Sequence, residues 1–209
     1  NWYVSTTGGS VIPSPPPNTR VPGVVMFYVS QTIAGCEGPR AAMAVIINPS
    51  PIITASPFQQ QICSGTATSI LFNSTVPGTS YSWIPVASSG VIGLSSGAGQ
   101  VLSQVLVNNG NISGFVTYTV HGASPAGCTV MPTNVTITVD PIPVVTVTPS
   151  SQTIVSGQST NIGLNSNVLG TTFTWIPTSP GDITGFSAGT GSPIVQTLVN
   201  TATTLKTLS

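Results

Sequence analysis

Apolar and polar residues alternate with a period of two in several short segments of this chain. In residues 116–120 and 135–139, Val, Tyr and Ile alternate with Thr. Successive side chains of a β-strand point to opposite faces of the sheet, so this pattern predicts strands with one buried face and one threonine-rich face. Gly, Pro, Ser and Asn separate such segments roughly every 8 to 12 residues, and they interrupt every candidate helix. The sequence therefore predicts an all-β sandwich or barrel.

A repeat with an offset of 92 residues runs through most of the chain. Residues 62–117 and 154–209 align without a gap and share 21 identities in 56 pairs. The same offset relates the Ala-Gly-Cys of residues 34–36 to that of residues 126–128. Repeats of this length are typical of domain arrays, in which each unit forms its own core.

The offset predicts three units of unequal completeness. Residues 1–50 are expected to be the C-terminal half of an immunoglobulin-like repeat, and residues 51–141 a complete repeat of about 92 residues. Residues 142–209 are expected to be the N-terminal two thirds of a further repeat. We therefore expect the chain to be a window on a longer array. Prolines at the predicted joints, such as Pro49 and Pro141, are expected to stiffen it into a rod.

One tryptophan occurs at the same place in each of the last two units. Trp83 and Trp175 lie in segments that end in Pro, and their neighbours alternate as strand residues do. An exposed tryptophan could stack on a sugar, whereas a buried one would be the core tryptophan of an immunoglobulin-like sandwich. The alternation favours the core interpretation for both residues.

Two cysteines lie near the ends of the complete unit. A metal site at Cys63 and Cys128 would need three or four ligands, and His121 is the other nearby candidate. The alternative is a structural disulfide, which would close a long loop and contribute roughly 3–5 kcal/mol in an oxidising compartment. The disulfide is the favoured interpretation. Val155 replaces Cys63 in the last unit, which should therefore lack the bridge.

Charge is scarce, and this argues against several classes of function. Three basic and three acidic residues balance to zero, so nothing attracts nucleic acid or an anionic membrane. The sequence contains no run of 18 apolar residues, so it predicts no membrane-spanning helix. With one acid per unit, neither a carboxylate pair nor a calcium site is expected, and His121 with Asp140 is an improbable catalytic pair. We expect no enzymatic activity, no cofactor and no metal.

The motifs of the repeat resemble a known family. The segments at residues 62–65, 81–83, 104–108, 116–120 and 126–128 resemble the PKD-like repeats of large Bacteroidota surface proteins, and residues 26–49 resemble their related Ig-like repeats. This resemblance implies an extracellular protein at the cell surface, secreted by the type IX system and similar to gliding-motility adhesins. The implied partners are neighbouring repeats of the same chain and the secretion or motility apparatus.

Three functions remain open at this stage. The favoured one is a stalk segment of a cell-surface adhesin, which supplies reach and stiffness. The second is a module that itself binds a glycan or a protein, through the Gly- and Ser-rich loops at residues 88–99 and 179–191. Phe186, with Leu94 as its counterpart, is the single aromatic residue in these loops, which favours the stalk. The third is a spacer for a catalytic domain outside these residues.

Overall fold

The computed structural model describes residues 1–14, 18–179 and 181–209. In these ranges the chain forms strands, turns and bends but no helix, and none of it could span a membrane as a helix. The predicted all-β class is confirmed. We describe the strands in three segments: the first (residues 1–50), the middle (residues 51–141) and the last (residues 142–209).

The first segment contains two small antiparallel sheets. One has the order β1-β2-β5 and the other pairs β3 with β4. Tyr3 and Phe27 are buried, while Val24 and Ile46 on the long strands are more than 60% exposed. Apolar side chains therefore remain accessible on this sheet. The strands are β1 (Trp2–Tyr3), β2 (Gly23–Val29), β3 (Thr32–Ile33), β4 (Cys36–Glu37) and β5 (Ala41–Ile47).

The middle segment is a two-layer sandwich. One layer is a five-stranded sheet of order β12-β10-β15-β16-β7, and the other consists of the sheets β13-β9-β6 and β11-β14-β8. The strands are β6 (Ile53–Ser56), β7 (Gln59–Cys63), β8 (Thr66–Ala67), β9 (Ile70–Ser74), β10 (Ser80–Ala87), β11 (Val91–Ile92), β12 (Gly97–Ala98), β13 (Val101–Leu102), β14 (Val105–Asn108), β15 (Gly114–Ala123) and β16 (Thr133–Asp140).

The core of the middle segment follows the period-two pattern of its strands. On β15, Val116, Tyr118 and Val120 are fully buried, and Thr117 and Thr119 between them are half-buried on the other face. Fifteen buried apolar residues, all between residues 53 and 139, form one cluster to which both layers contribute. Burial of apolar side chains between the two layers is the main stabilising term for such a sandwich.

The last segment repeats the strands of the middle one at the same offset. β17, β20 and β21 begin 92 residues after β6, β11 and β12, and the bridge between Ile162 and Ile194 matches the pairing of Ile70 with Leu102. Its sheets have only two strands each. The strands are β17 (Val145–Thr148), β18 (Gly163–Ser166), β19 (Thr174–Trp175), β20 (Ile183–Thr184), β21 (Gly189–Thr190) and β22 (Val199–Asn200).

Two glycines permit a close approach of backbone segments at equivalent places. Gly93 has φ +88° and Gly185 has φ +89°, in the left-handed region. A Cβ atom at Gly93 would collide with the carbonyl group of Val105, and one at Gly185 with that of Thr197. The identity at this pair of positions therefore has both a conformational and a steric cause.

Gly93→Ala is expected to destabilise the middle segment strongly, and Gly127→Ala is its matched control. Gly127 also has a positive φ but has open space around it, so alanine there should cost only about 1–2 kcal/mol of backbone strain. Alanine at Gly93 should cost roughly 1–3 kcal/mol more because it also overpacks. Chemical denaturation of both variants measures the difference, and equal losses would contradict the steric argument.

Candidate functional site

The predicted disulfide between Cys63 and Cys128 is wrong. All three cysteines lie in the described ranges and are free, with Cys36 and Cys63 exposed and Cys128 half-buried. Cys63 ends β7 and lies beside Asp140, the last residue of β16. Cys128 lies in the turn before β16 begins, where the carbonyl group of Cys128 accepts a hydrogen bond from the amide of Ser124 (3.0 Å).

The parallel pairing of β7 with β16 explains why the two thiols are apart. β16 runs from Thr133 to Asp140, a length of roughly 23 Å at the usual rise of a strand. Cys63 is at one end of this strand and Cys128 is beyond the other. A disulfide needs Cα atoms within about 7 Å, so the sheet itself separates the pair.

Trp83 is buried in the core of the middle segment. It is 6% exposed, and its ring lies 5.8 Å from that of Phe72, centroid to centroid, at a tilt of 42°. A Cβ atom at Gly97 on the neighbouring strand would lie 2.7 Å from Cζ2 of Trp83, so the glycine makes room for the indole. The indole N–H is buried with no partner in the described residues. Packing, and not hydrogen bonding, therefore holds this ring.

Trp175 does not have the core position that the sequence predicted for it. Its side chain is half-buried and lies outside the core cluster, although Gly189 makes room for it just as Gly97 does for Trp83. The difference lies in the strand that would cover it. The strand that carries Trp83, β10, pairs with β15 along eight residues. On the equivalent side of the strand that carries Trp175, the only pairing in the described chain is between Thr178 and Ser209, which share two hydrogen bonds.

A buried asparagine near Cys63 joins the β7–β16 edge of the five-stranded sheet to the other layer. Asn108 is 7% exposed, and its Nδ2 atom donates to the carbonyl groups of Val139 and Ile112, both at 2.8 Å. The backbone amide of Asn108 donates to Oγ of Ser64 (2.9 Å). Asn200 and Ser156 repeat this last bond at 3.0 Å, 92 residues later. The sequence shows the identities at these positions, but it does not show that they bond each other.

Gln104 forms a second neutral contact between the layers. Its Nε2 atom donates to the carbonyl group of Ser95 (2.7 Å), and its Oε1 atom accepts from the hydroxyl group of Tyr118 (2.7 Å). Burial raises the pKa of Tyr118 to about 12, so the phenol remains a donor at any physiological pH. Gln196 repeats the bond to the carbonyl group of Ser187 at 2.5 Å. These contacts fix the loop at residues 95–104 without any charge.

Most of the few charged side chains make contacts within the fold. Arg40 lies 3.3 Å above the ring of Tyr3 and the same distance from Oε1 of Glu37, whose pKa is lowered mainly by a hydrogen bond from Ser30. Asp182 pairs with Lys206 at 3.0 Å. All of these groups are at least partly exposed, so each ion pair adds little to stability.

Asp140 accepts two short hydrogen bonds at the end of β16. Oγ of Ser113 donates to its Oδ1 atom and Nε2 of Gln61 donates to its Oδ2 atom, both at 2.6 Å. These two bonds hold the pKa of the Asp140 carboxyl group below its ordinary value. His121, its candidate catalytic partner, lies near the opposite end of the sheet, beside Ser82. The structure therefore does not bring the two together.

The predicted binding loops are largely occupied by internal contacts. Leu94 packs against the core, and Ser95 is bonded to Gln104. Phe186 is half-buried, and Pro180 lies outside the described residues. The exposed phenylalanines of the middle segment are Phe58 and Phe115, at 65% and 53%, which lie elsewhere.

Two open clefts and the titratable residues offer no chemistry that we can assign. One cleft, of about 450 Å³, lies against residues 171–173 and 190–192, and the other, of about 200 Å³, lies where residues 48–49 meet residues 76–77 and 124–126. Neither is lined by an acid, a base or a thiol. Within the described residues, no three His, Cys, Asp or Glu side chains are grouped as metal ligands.

Comparison with known proteins gives one family match. The family model described as a PKD-like domain matches residues 60–143 and again residues 152–209. Together these ranges cover more than half of the chain, and they contain Trp83 and Trp175 at equivalent places. A comparison with curated proteins finds no significant match.

Trp83→Ala should destabilise the middle segment by roughly 3–5 kcal/mol, because it leaves a large cavity between the two layers. Hydrogen exchange of the β15 amides measures this loss locally. Trp175→Ala is the matched control, and it should leave exchange of the β15 amides unchanged. A loss within about 0.5 kcal/mol for Trp83→Ala would contradict a core role for the ring.

Three free thiols are expected in the purified protein under non-reducing conditions. Cys36 and Cys63 should react with a thiol reagent without denaturant, since both side chains are exposed. The free energy of unfolding of the double variant Cys63→Ser, Cys128→Ser should lie within about 0.5 kcal/mol of that of the unaltered protein. A peptide map with a Cys63–Cys128 cross-link would contradict the structure.

Proposed function

The chain belongs to the PKD-like domain family, and we propose that it is a stalk segment of a large cell-surface adhesin. The observation that carries this proposal is the recurrence of strands, bridges and side-chain contacts every 92 residues. Ser64 with Asn108 and Ser156 with Asn200 form the same bond, and Trp83 and Trp175 meet equivalent glycines. Such repetition suits a part whose length matters more than any single surface.

The chemistry of the chain supports a structural role. PKD-like domains are non-catalytic modules, and most of the contacts that hold this one together are neutral hydrogen bonds and apolar packing. We infer that the chain has no enzymatic activity of its own. Many of its polar side chains form hydrogen bonds within the fold, as Gln104 and Asn108 do. Few convergent polar groups are therefore available to bind a ligand.

The setting of the stalk is part of the proposal. We propose an extracellular location at the outer surface of a bacterium of the Bacteroidota, export through the type IX secretion system, and a role in adhesion or gliding. Neighbouring repeats of the same polypeptide would be its main partners, together with the secretion or motility apparatus. The support is the resemblance of the repeat motifs and the uncharged, Thr- and Ser-rich surface.

Replacement of one repeat distinguishes a stalk from a binding module. In the organism that encodes the chain, residues 51–141 would be exchanged for an unrelated immunoglobulin-like sandwich of similar length. If the segment is a stalk, adhesion should stay near the unaltered level, because reach is conserved. Deletion of the same residues is the companion variant, and it should weaken adhesion by shortening the stalk.

Two results would contradict the proposal. Loss of adhesion after the exchange, with normal export, would indicate that the surface of the repeat binds the target. Resistance of the repeat to protease added to intact cells, with cleavage after lysis, would place it inside the cell. An antibody against residues 142–209 reports export in the exchange experiment, and an antibody against residues 51–141 reports cleavage in the protease experiment.

A further inference from the structure

The second strand and the last strand of the middle segment lie side by side in one sheet. β7 forms the edge of the five-stranded sheet and pairs in parallel with β16, from Gln59 beside Thr136 to Cys63 beside Asp140. The chain enters this segment through the short strand β6, which pairs with β9 in the other layer, continues into β7 and leaves the segment at Asp140. Every other neighbouring pair in that sheet is antiparallel.

The parallel arrangement determines how the pair responds to tension. A pull on the two ends of the segment first loads the four paired residues of β6. Passed on to β7, it draws β7 towards its N-terminus and β16 towards its C-terminus, in opposite directions along the strand axes. The bonds between them then carry the load together. The amide of Thr136 donates to the carbonyl group of Phe58 (3.3 Å) at one end, and that of Ser64 to Asp140 (2.8 Å) at the other. The ladder therefore spans the whole of β7.

The side chain of Asp140 closes the ladder where the tension would enter. Its carboxylate is bonded to Gln61 on β7 and to Ser113 in the loop before β15, and its carbonyl group is bonded to Ser64. The preceding carbonyl group, that of Val139, accepts from Asn108. Hydrogen bonds to an ionised acceptor are stronger than neutral ones. The end of β16 is thus held from several elements at once.

We propose that the parallel β7–β16 pair, closed by Asp140, is a mechanical clamp that bears tension along the chain. This inference rests on the proposed stalk function, since a stalk is pulled at its ends. The clamp works by shear. If the strands were pulled apart from the Gln59 end, the same bonds would break one after another, and a much smaller force would separate the strands.

Single-molecule measurements on the chain can compare these two directions of pull. In the shear geometry, force acts through the two termini, and the middle segment is identified by an extension step of roughly 30 nm. In the peeling geometry, force acts between the N-terminus and Cys128, in a protein carrying Cys36→Ser and Cys63→Ser. Cys128 lies at the same end of the sheet as Gln59, so this pull peels β7 from β16. At one constant force, the lifetime should be at least about tenfold longer in shear, because several bonds must break together.

Two variants test the bonds themselves. Asp140→Ala should shorten the lifetime in shear about tenfold, since it removes two bonds to a charged acceptor, and it should change the peeling lifetime by less than about twofold. The backbone groups of Phe58 and Ser64 bond β16, and the direction of these groups alternates along a strand. The amide of Gln60 therefore points towards β16, and that of Gln59 points away from it. Gln60→Pro should therefore shorten the shear lifetime, while Gln59→Pro, the matched control, leaves it unchanged.

Equal lifetimes of the unaltered protein in the two geometries would overturn the clamp. So would an equal effect of Asp140→Ala in both geometries, because that residue would then contribute only general stability. Neither result bears on cell-surface location or on the replacement of the repeat, so the stalk function would be judged separately. If Gln60→Pro fails to fold, the comparison of geometries and Asp140→Ala still decide the question.

Discussion

The pairing of β15 with strands on both of its sides is the interaction on which the middle segment depends. β15 lies between β10 and β16, and its buried face supplies Val116, Tyr118 and Val120 to the core. The last segment shows what this pairing contributes. In the described residues of that segment, the strand that carries Trp175 is paired on this side only through Thr178, and the indole, in the same local setting, lies outside the core cluster. Local sequence places the ring, and the neighbouring strand buries it.

The scarcity of charge shapes every polar contact in this protein. With six charged side chains in 209 residues, the fold cannot rely on networks of ion pairs. Instead, amide and hydroxyl side chains such as Asn108, Gln104 and Ser64 bond backbone groups that would otherwise be buried without partners. Buried polar groups are costly unless they are satisfied, which explains why these residues recur in both units. Contacts of this kind are also nearly insensitive to salt, because little charge is available for screening.

Much of the architecture could be predicted from the sequence. The period-two pattern predicts the strands and their buried faces, and the 92-residue offset predicts which strands are equivalent in the two units. The burial of Trp83 follows from that pattern, but the half-buried position of Trp175 outside the core cluster does not, because burial of that ring depends on which strand lies alongside. The disulfide was predicted wrongly for a related reason. Cys63 and Cys128 flank one unit in the sequence, but the parallel pairing of β7 with β16 places them at opposite ends of a sheet. The bonds of Asn108 were visible only as an identity with Asn200, since the pairing of side chains distant in the chain has no periodic signature.

The exact register of the 92-residue period also has a genetic consequence. Identical residues recur at the same points of successive strands, so a recombination event that keeps this register would add or remove one whole period. In the recombined protein, each strand would still pair with a strand of the same type. The pairing of β17 with β18, which matches that of β6 with β9, illustrates this equivalence. An array of this kind can be lengthened or shortened within a population while its folding rules stay the same.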